Sequence, residues 1–121
     1  MIYKGKNIFI QWHKSSLPWL KIFTNISYKE LSDCPVDVKN DLFSALDICE
    51  KAMIEYFKPD KINIASFGNY LPHLHFHITA RFKNDDYFPE SMWGVKQRTS
   101  DLTLPSFEKF ESDLIAKLHQ I

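Results

Sequence analysis

The sequence predicts an α+β fold built on a mainly antiparallel sheet. Three observations lead there. Short runs at residues 7–12, 61–67 and 71–82 alternate apolar and polar side chains, one longer segment repeats its apolar residues at three- and four-residue spacing, and the order along the chain is strands, helix, strands, helix. A length of 121 residues, 45% of them hydrophobic, suits one compact domain over residues 1–121 with a real core, and is too short for two.

Asn7-Ile8-Phe9-Ile10-Gln11-Trp12 alternates as a strand should, and His13-Lys14-Ser15-Ser16 breaks it before a second extended run, Pro18-Trp19-Leu20-Lys21-Ile22-Phe23. The two form a candidate antiparallel pair. Asp33, Pro35 and Asp37 then crowd the approach to a segment in which Val38, Leu42, Leu46, Cys49, Met53 and Phe57 mark one face of an amphipathic helix ending before Pro59. Lys61 to Phe67 alternates again, with Ile62, Ile64 and Phe67 apolar, and Gly68-Asn69-Tyr70 makes a turn into a strand expected from Leu71 to Phe82. Lys83-Asn84-Asp85-Asp86 favours a turn and opens an irregular loop to residue 103. Pro105 suits the first turn of a last helix whose stripe is Phe107, Phe110, Leu114, Leu118 and Ile121, fit to cover the sheet or a partner subunit.

Lysine plus arginine and aspartate plus glutamate both number 15, so no overall field draws polyanions or an acidic membrane surface. The basic stripe of a sequence-independent nucleic-acid binder is missing. No segment approaches the ~18 apolar residues of a membrane span. Cys34 and Cys49 read as separate thiols, Cys49 on the apolar helix face, and the expectation is a reduced, soluble, cytoplasmic protein without nucleic-acid or membrane partners.

The chemistry concentrates at His73-Leu74-His75-Phe76-His77, where three of the five histidines alternate with apolar residues. A period of two puts the imidazoles on one strand face and Leu74, Phe76 and Ile78 on the other. Imidazole acts near neutral pH as nucleophile, acid or metal ligand. A metal site is limited by reach: at about 3.3 Å per residue the outer histidines lie about 13 Å apart, whereas zinc needs each nitrogen within about 2.1 Å. A row of surface histidines without chemistry is the bland alternative. The motif favours nucleophilic catalysis at phosphorus. In that reading neutral His75 attacks with one ring nitrogen while the other donates to a fixed acceptor, His77 binds the phosphate and protonates the departing oxygen, and the Gly68-Asn69-Tyr70 turn offers N–H groups to phosphate oxygens.

Pro72-His73-Leu74-His75-Phe76-His77-Ile78-Thr79 resembles the signature of the histidine triad (HIT) superfamily. Pro18-Trp19-Leu20, Lys61-Ile62-Asn63-Ile64-Ala65, Gly68-Asn69, Ala80-Arg81-Phe82, Asp85-Asp86 and Trp93-Gly94 are similar to a short bacterial branch of HIT-like hydrolases, so the likeness spans roughly residues 8 to 98. It implies a five-stranded antiparallel sheet with two helices, commonly a homodimer, and hydrolysis or transfer at the α-phosphate of nucleotides such as dinucleoside polyphosphates. Phosphoramidate or adenylate-conjugate hydrolysis and non-catalytic nucleotide binding are the alternatives. By the same likeness His75 forms a nucleotidyl-histidine intermediate, His77 contacts the scissile phosphate and leaving group, and His73 orients the strand, its carbonyl accepting from the His75 ring.

Asn69, Tyr70 and Leu71 occupy the segment that approaches phosphate and base in related proteins. His13 is a candidate ribose or phosphate contact, with a surface turn histidine as the alternative. Arg81, four residues past His77 on the same face, is expected either to steer a distal phosphate or to be a surface charge. Trp93 is a base platform or a loop anchor; Trp12 and Trp19 are assigned to packing, and His119 to the helix-end dipole. No metal and no cofactor are required on this reading, magnesium serving only to shield the substrate's own phosphates.

Overall fold

A computed structural model describes residues 1–120. Five strands form one antiparallel sheet: β1 (Tyr3–Lys4), β2 (Ile8–Trp12), β3 (Trp19–Thr24), β4 (Lys61–Ala65) and β5 (His75–Arg81), in the spatial order β1-β2-β3-β5-β4. Helix α1 (Val36–Phe57) connects β3 to β4, and α2 (Phe107–Leu118) follows the long loop after β5. The expected pair β2 and β3 forms, with Phe9 opposite Phe23 and Gln11 opposite Lys21.

Alternation along the strands sorts the side chains onto two faces. Ile8, Ile10, Leu20, Ile22, Ile62, Ile78 and Ala80 face α1, which buries Val38, Leu42, Ala45, Leu46, Cys49, Ala52, Met53 and Phe57 against them. Lys58 ends α1 with φ 50°, its N–H still reaching the Ile54 carbonyl, and Pro59 has no N–H with which to continue. Helix α2 lies on α1, where Phe110 packs 4.8 Å from Phe57 and 5.6 Å from Tyr56 between ring centroids. Its apolar stripe of Phe110, Leu114 and Leu118 is thus covered within the chain, and Ile121, the last member of the expected stripe, lies outside the described residues.

Two boundaries differ from the sequence reading. Helix α2 begins at Phe107 with Ser106 as its cap, the hydroxyl accepting from the Lys109 N–H, so Pro105 precedes the helix instead of opening it. Strand β5 begins at His75, not at Leu71. Pro72 lacks an N–H, and the His73 N–H closes a tight turn onto the Leu71 carbonyl, so neither residue is free for a ladder. Among the described residues no helix is long and apolar enough to cross a membrane.

Candidate active site

The sheet face opposite α1 carries His75, His77, Thr79 and Arg81 of β5, flanked across the β3 register by Phe23, Lys21 and Trp19. These are cross-strand neighbours, so sheet pairing alone brings the aromatic and basic residues of β3 against the histidines of β5. His75 and His77 are only 8% and 9% exposed, since rings pack over them from several elements. Phe23 stacks on His75 at 4.7 Å, and Trp93 meets His77 edge-on at 5.0 Å.

Hydrogen bonds assign the tautomers, because each partner has a single possible role. The His73 carbonyl only accepts, so the His75 Nδ1–H donates to it at 2.7 Å, which leaves Nε2 as the nitrogen that carries the lone pair in the neutral form of the ring. The Thr24 carbonyl likewise accepts from the His73 Nε2–H at 2.6 Å, which ties the residue before the strand to the end of β3. The Trp19 indole N–H only donates, and it reaches His77 Nδ1 at 2.9 Å. His77 therefore carries its proton on Nε2. Burial first, then the positive or titratable neighbours His75, His13 and Lys21, lower the His77 pKa to about 4. The pair thus presents a bare nitrogen on His75 and an N–H on His77, with ring centroids 5.0 Å apart.

The other expected site residues divide. His13 is in the site: its ring stacks on Trp19 at 3.9 Å and lies 6.2 Å from His77, and burial, then Lys21, lower its pKa. Asn69, Tyr70 and Leu71 are exposed, on the loop that Gly68 turns with φ +71° and that the Ser66 hydroxyl fastens to the His75 carbonyl. The loop residue that packs near His77 is instead Phe67, whose ring also meets Trp93 at 4.8 Å.

Arg81 is neither a surface charge nor free to steer a phosphate. It is 1% exposed, and its guanidinium is taken up by both Asp85 carboxylate oxygens, the Asn63 side-chain carbonyl and the Glu90 backbone carbonyl. Burial alone would raise the Asp85 pKa, but Arg81 and the N–H groups of Phe82, Phe88 and Tyr87 outweigh it and hold it at about 2. The loop after β5 is consequently well tied despite lacking helix or strand: Asp86 accepts from the Gln97, Arg98 and Ser100 N–H groups, and Arg98 donates to the Asp85 and Phe88 carbonyls. This anchoring sets Trp93, 52% exposed, over Trp19 and His77.

Two residues of this face, Trp19 and Lys21, carry no site signal in the sequence. Trp19 packs, as expected, but also bonds His77. Lys21, the register partner of His77, brings a cation to this face, its Nζ 5.8 Å from the centre of the Phe23 ring that stacks on His75. Their parity with Phe23 was legible in the sequence, but the pairing of β3 with β5 was not. Beside the triad opens a cleft of about 650 Å³, walled toward it by His13, Trp19 and Trp93 and elsewhere by Lys14, Asp86 and Tyr87 among others. Both cysteines are free and buried, and burial pushes the Cys49 thiol up to about 12. Among the described residues no group of three or more histidine, cysteine, aspartate or glutamate side chains is arranged to hold a metal ion.

Comparison with known proteins places residues 3–84 on the model of the HIT domain family. A crystal structure of a histidine triad protein from Bradyrhizobium japonicum is 27% identical, with a TM-score of 0.75 over 98% of this chain and 87% of that one. Two more histidine triad proteins share the fold. The one from Marinobacter aquaeolei is 24% identical (TM-score 0.73, 98% of this chain and 85% of that one), and the one from Sinorhizobium meliloti is 21% identical (TM-score 0.74, 98% and 86%). No curated protein matches the sequence.

Proposed function

The chain belongs to the HIT family, and from that premise we propose that it is a nucleotide hydrolase or transferase that works at an α-phosphate through a nucleotidyl intermediate on His75. The observation that carries this reading is the 2.7 Å bond from His75 Nδ1–H to the His73 carbonyl, which makes Nε2 the nitrogen that bears the lone pair of the neutral ring and hence the nucleophile. As the Nε2–P bond forms, the P–O bond to the leaving group breaks and its electron pair departs on oxygen. The ring turns cationic, and the His73 carbonyl stabilises that charge through the bond already in place. Water then attacks phosphorus and gives up a proton to solvent, the P–N bond breaks back onto Nε2, and a nucleoside monophosphate is released; a second alcohol or phosphate in place of water makes the reaction a transfer.

The His77 Nε2–H and Lys21 supply hydrogen bonds and positive charge to the phosphate oxygens, and the adjacent cleft, with Trp93 and His13 on its wall, receives the nucleoside or the remainder of the substrate. Asn69, Tyr70 and Leu71, exposed on the loop beside the triad, are the proposed further contacts to the substrate. No cofactor takes part, and magnesium acts through the substrate's own phosphates.

The working unit is proposed to be a homodimer. Helix α2 does not supply the interface, being covered by α1; the free edge of β4, where Ile64 is 44% exposed, does.

The test is incubation with a panel of dinucleoside polyphosphates and nucleoside phosphoramidates, with the enzyme quenched in base and weighed by mass spectrometry. Released monophosphate and a nucleotidyl adduct on His75 are expected. The variant His75→Ala should stay folded, still bind nucleoside monophosphate and lose turnover on the order of thousands-fold. Tight binding without turnover across the panel would make the protein a nucleotide-binding module instead. Activity that is lost on chelation and restored by zinc would replace the histidine nucleophile with a metal site.

A further inference from the structure

We propose that Trp19 is a positioning residue that locks His77 as a neutral Nε2–H donor, so that the site cleaves phosphoanhydrides and discriminates against phosphoramidates. The leaving-group half of this inference rests on the hydrolase reading above; the tautomer half does not.

The lock is geometric. Trp19 is 5% exposed, sits on β3 opposite Thr79 of β5, and has its indole clasped between His13, stacked at 3.9 Å and 27°, and Trp93, edge-on at 5.2 Å. So held, the indole N–H points at His77 Nδ1 at 2.9 Å and has no lone pair with which to accept in return. Protonating His77 would set two N–H donors against each other and leave the indole N–H buried without a partner. The groups that bear on His77 from the surrounding elements offer no compensation. Lys21 from β3, and His75 from its own strand and His13 just after β2 whenever they are cationic, oppose a proton, and Phe67 and Trp93 from the loops are uncharged. The buried carboxylate of Asp85 is committed to Arg81.

The chemical consequence falls on the leaving group. In a phosphoanhydride, attack by His75 Nε2 breaks a P–O bond and the electron pair leaves on a phosphate oxygen of low basicity, which needs a hydrogen bond but no proton. In a phosphoramidate the pair would leave on nitrogen, and an amine departs only if an acid delivers a proton as the P–N bond breaks. A neutral imidazole N–H serves the first case and is a poor acid for the second. His77 is thereby reassigned from the proton donor expected of the sequence to a hydrogen-bond donor.

The experiment has two arms. Long-range proton–nitrogen correlation spectra of histidine-labelled protein should show His77 as the Nε2–H tautomer, neutral where an ordinary histidine titrates near pH 6.5. In Trp19→Phe, which keeps the stack on His13 and loses the donor, His77 should populate both tautomers and titrate at higher pH. A wild-type His77 with its proton on Nδ1, or titrating near 6.5, overturns the lock even if the variant fails to fold; so does an unchanged His77 in a folded Trp19→Phe. In the second arm, kcat/KM for a dinucleoside polyphosphate should exceed that for a nucleoside alkylphosphoramidate by about a hundredfold or more, and the gap should narrow about tenfold in Trp19→Phe. Preference for the phosphoramidate overturns this inference alone. Turnover of neither overturns the hydrolase reading and the leaving-group preference with it, while the spectra decide the tautomer independently.

Discussion

His75 and His77 are the same side chain two positions apart on one strand, yet their fixed partners make one ring a bare nitrogen and the other an N–H. The difference lies wholly in what touches Nδ1: a backbone carbonyl at His75, an indole N–H at His77. The alternation of His73, His75 and His77 was enough to place a reactive face, and the family resemblance anticipated the carbonyl of His73 as acceptor. A lysine in an extended strand reads as solvent-facing, and only the Lys21 to His77 register puts it beside the triad. If it binds phosphate as proposed, Lys21→Met should raise KM for an anionic nucleotide about tenfold or more with a smaller change in kcat, the loss of one charge-assisted hydrogen bond of roughly 1.5–3 kcal/mol. Steady-state kinetics with an unchanged KM would make Lys21 a spectator.

At the scale of elements, the long amphipathic α1 and the alternating β2 follow the periodicity of the chain closely, because each has one dry face and one wetter face, whereas β3 is buried or half-buried at every position and β4 leaves Ile64 exposed. The two-residue β1 carries no period to read. Strand β5 is buried on both faces at His77, Thr79 and Arg81, and there the simple inward-outward rule fails. The second covering layer is the loop from Lys83 onward, irregular in sequence but pinned by the Arg81–Asp85 ion pair. Removing one partner of a buried pair strands the other, so Asp85→Asn should lower the unfolding free energy by about 3 kcal/mol or more and loosen Trp93 from the site. Chemical denaturation and tryptophan emission would check both, and an unchanged midpoint would mean that Arg81 finds another acceptor. The sign of the pH dependence follows from the same carboxylate. Its pKa is about 2 when folded and near 3.9 when unfolded, so its contribution is complete above about pH 4 and fades as the pH falls toward 2, an acid limb that Asp85→Asn should flatten.

For the whole molecule, assembly is the property least constrained by the chain's own packing. The sheet leaves β4 as an open edge, whereas the apolar stripe of α2 is satisfied by α1. Light scattering at micromolar concentration should therefore give a dimer mass, and Ile64→Lys should shift it toward the monomer; a monomeric wild type would contradict the proposed dimer. The sequence by itself determined the α+β class, the order of the main strands and helices, and the strand that bears the histidines, because those depend on periodicities read within a few residues of each position. The tertiary structure alone decided which nitrogen of His77 carries the proton, that the Arg81 guanidinium is taken up within the fold, and that Trp19 belongs to the site. A proton's place on a ring is set by the atom facing it, and the indole facing His77 comes from 58 residues away along the chain, a distance over which local pattern carries no information and only sheet pairing does.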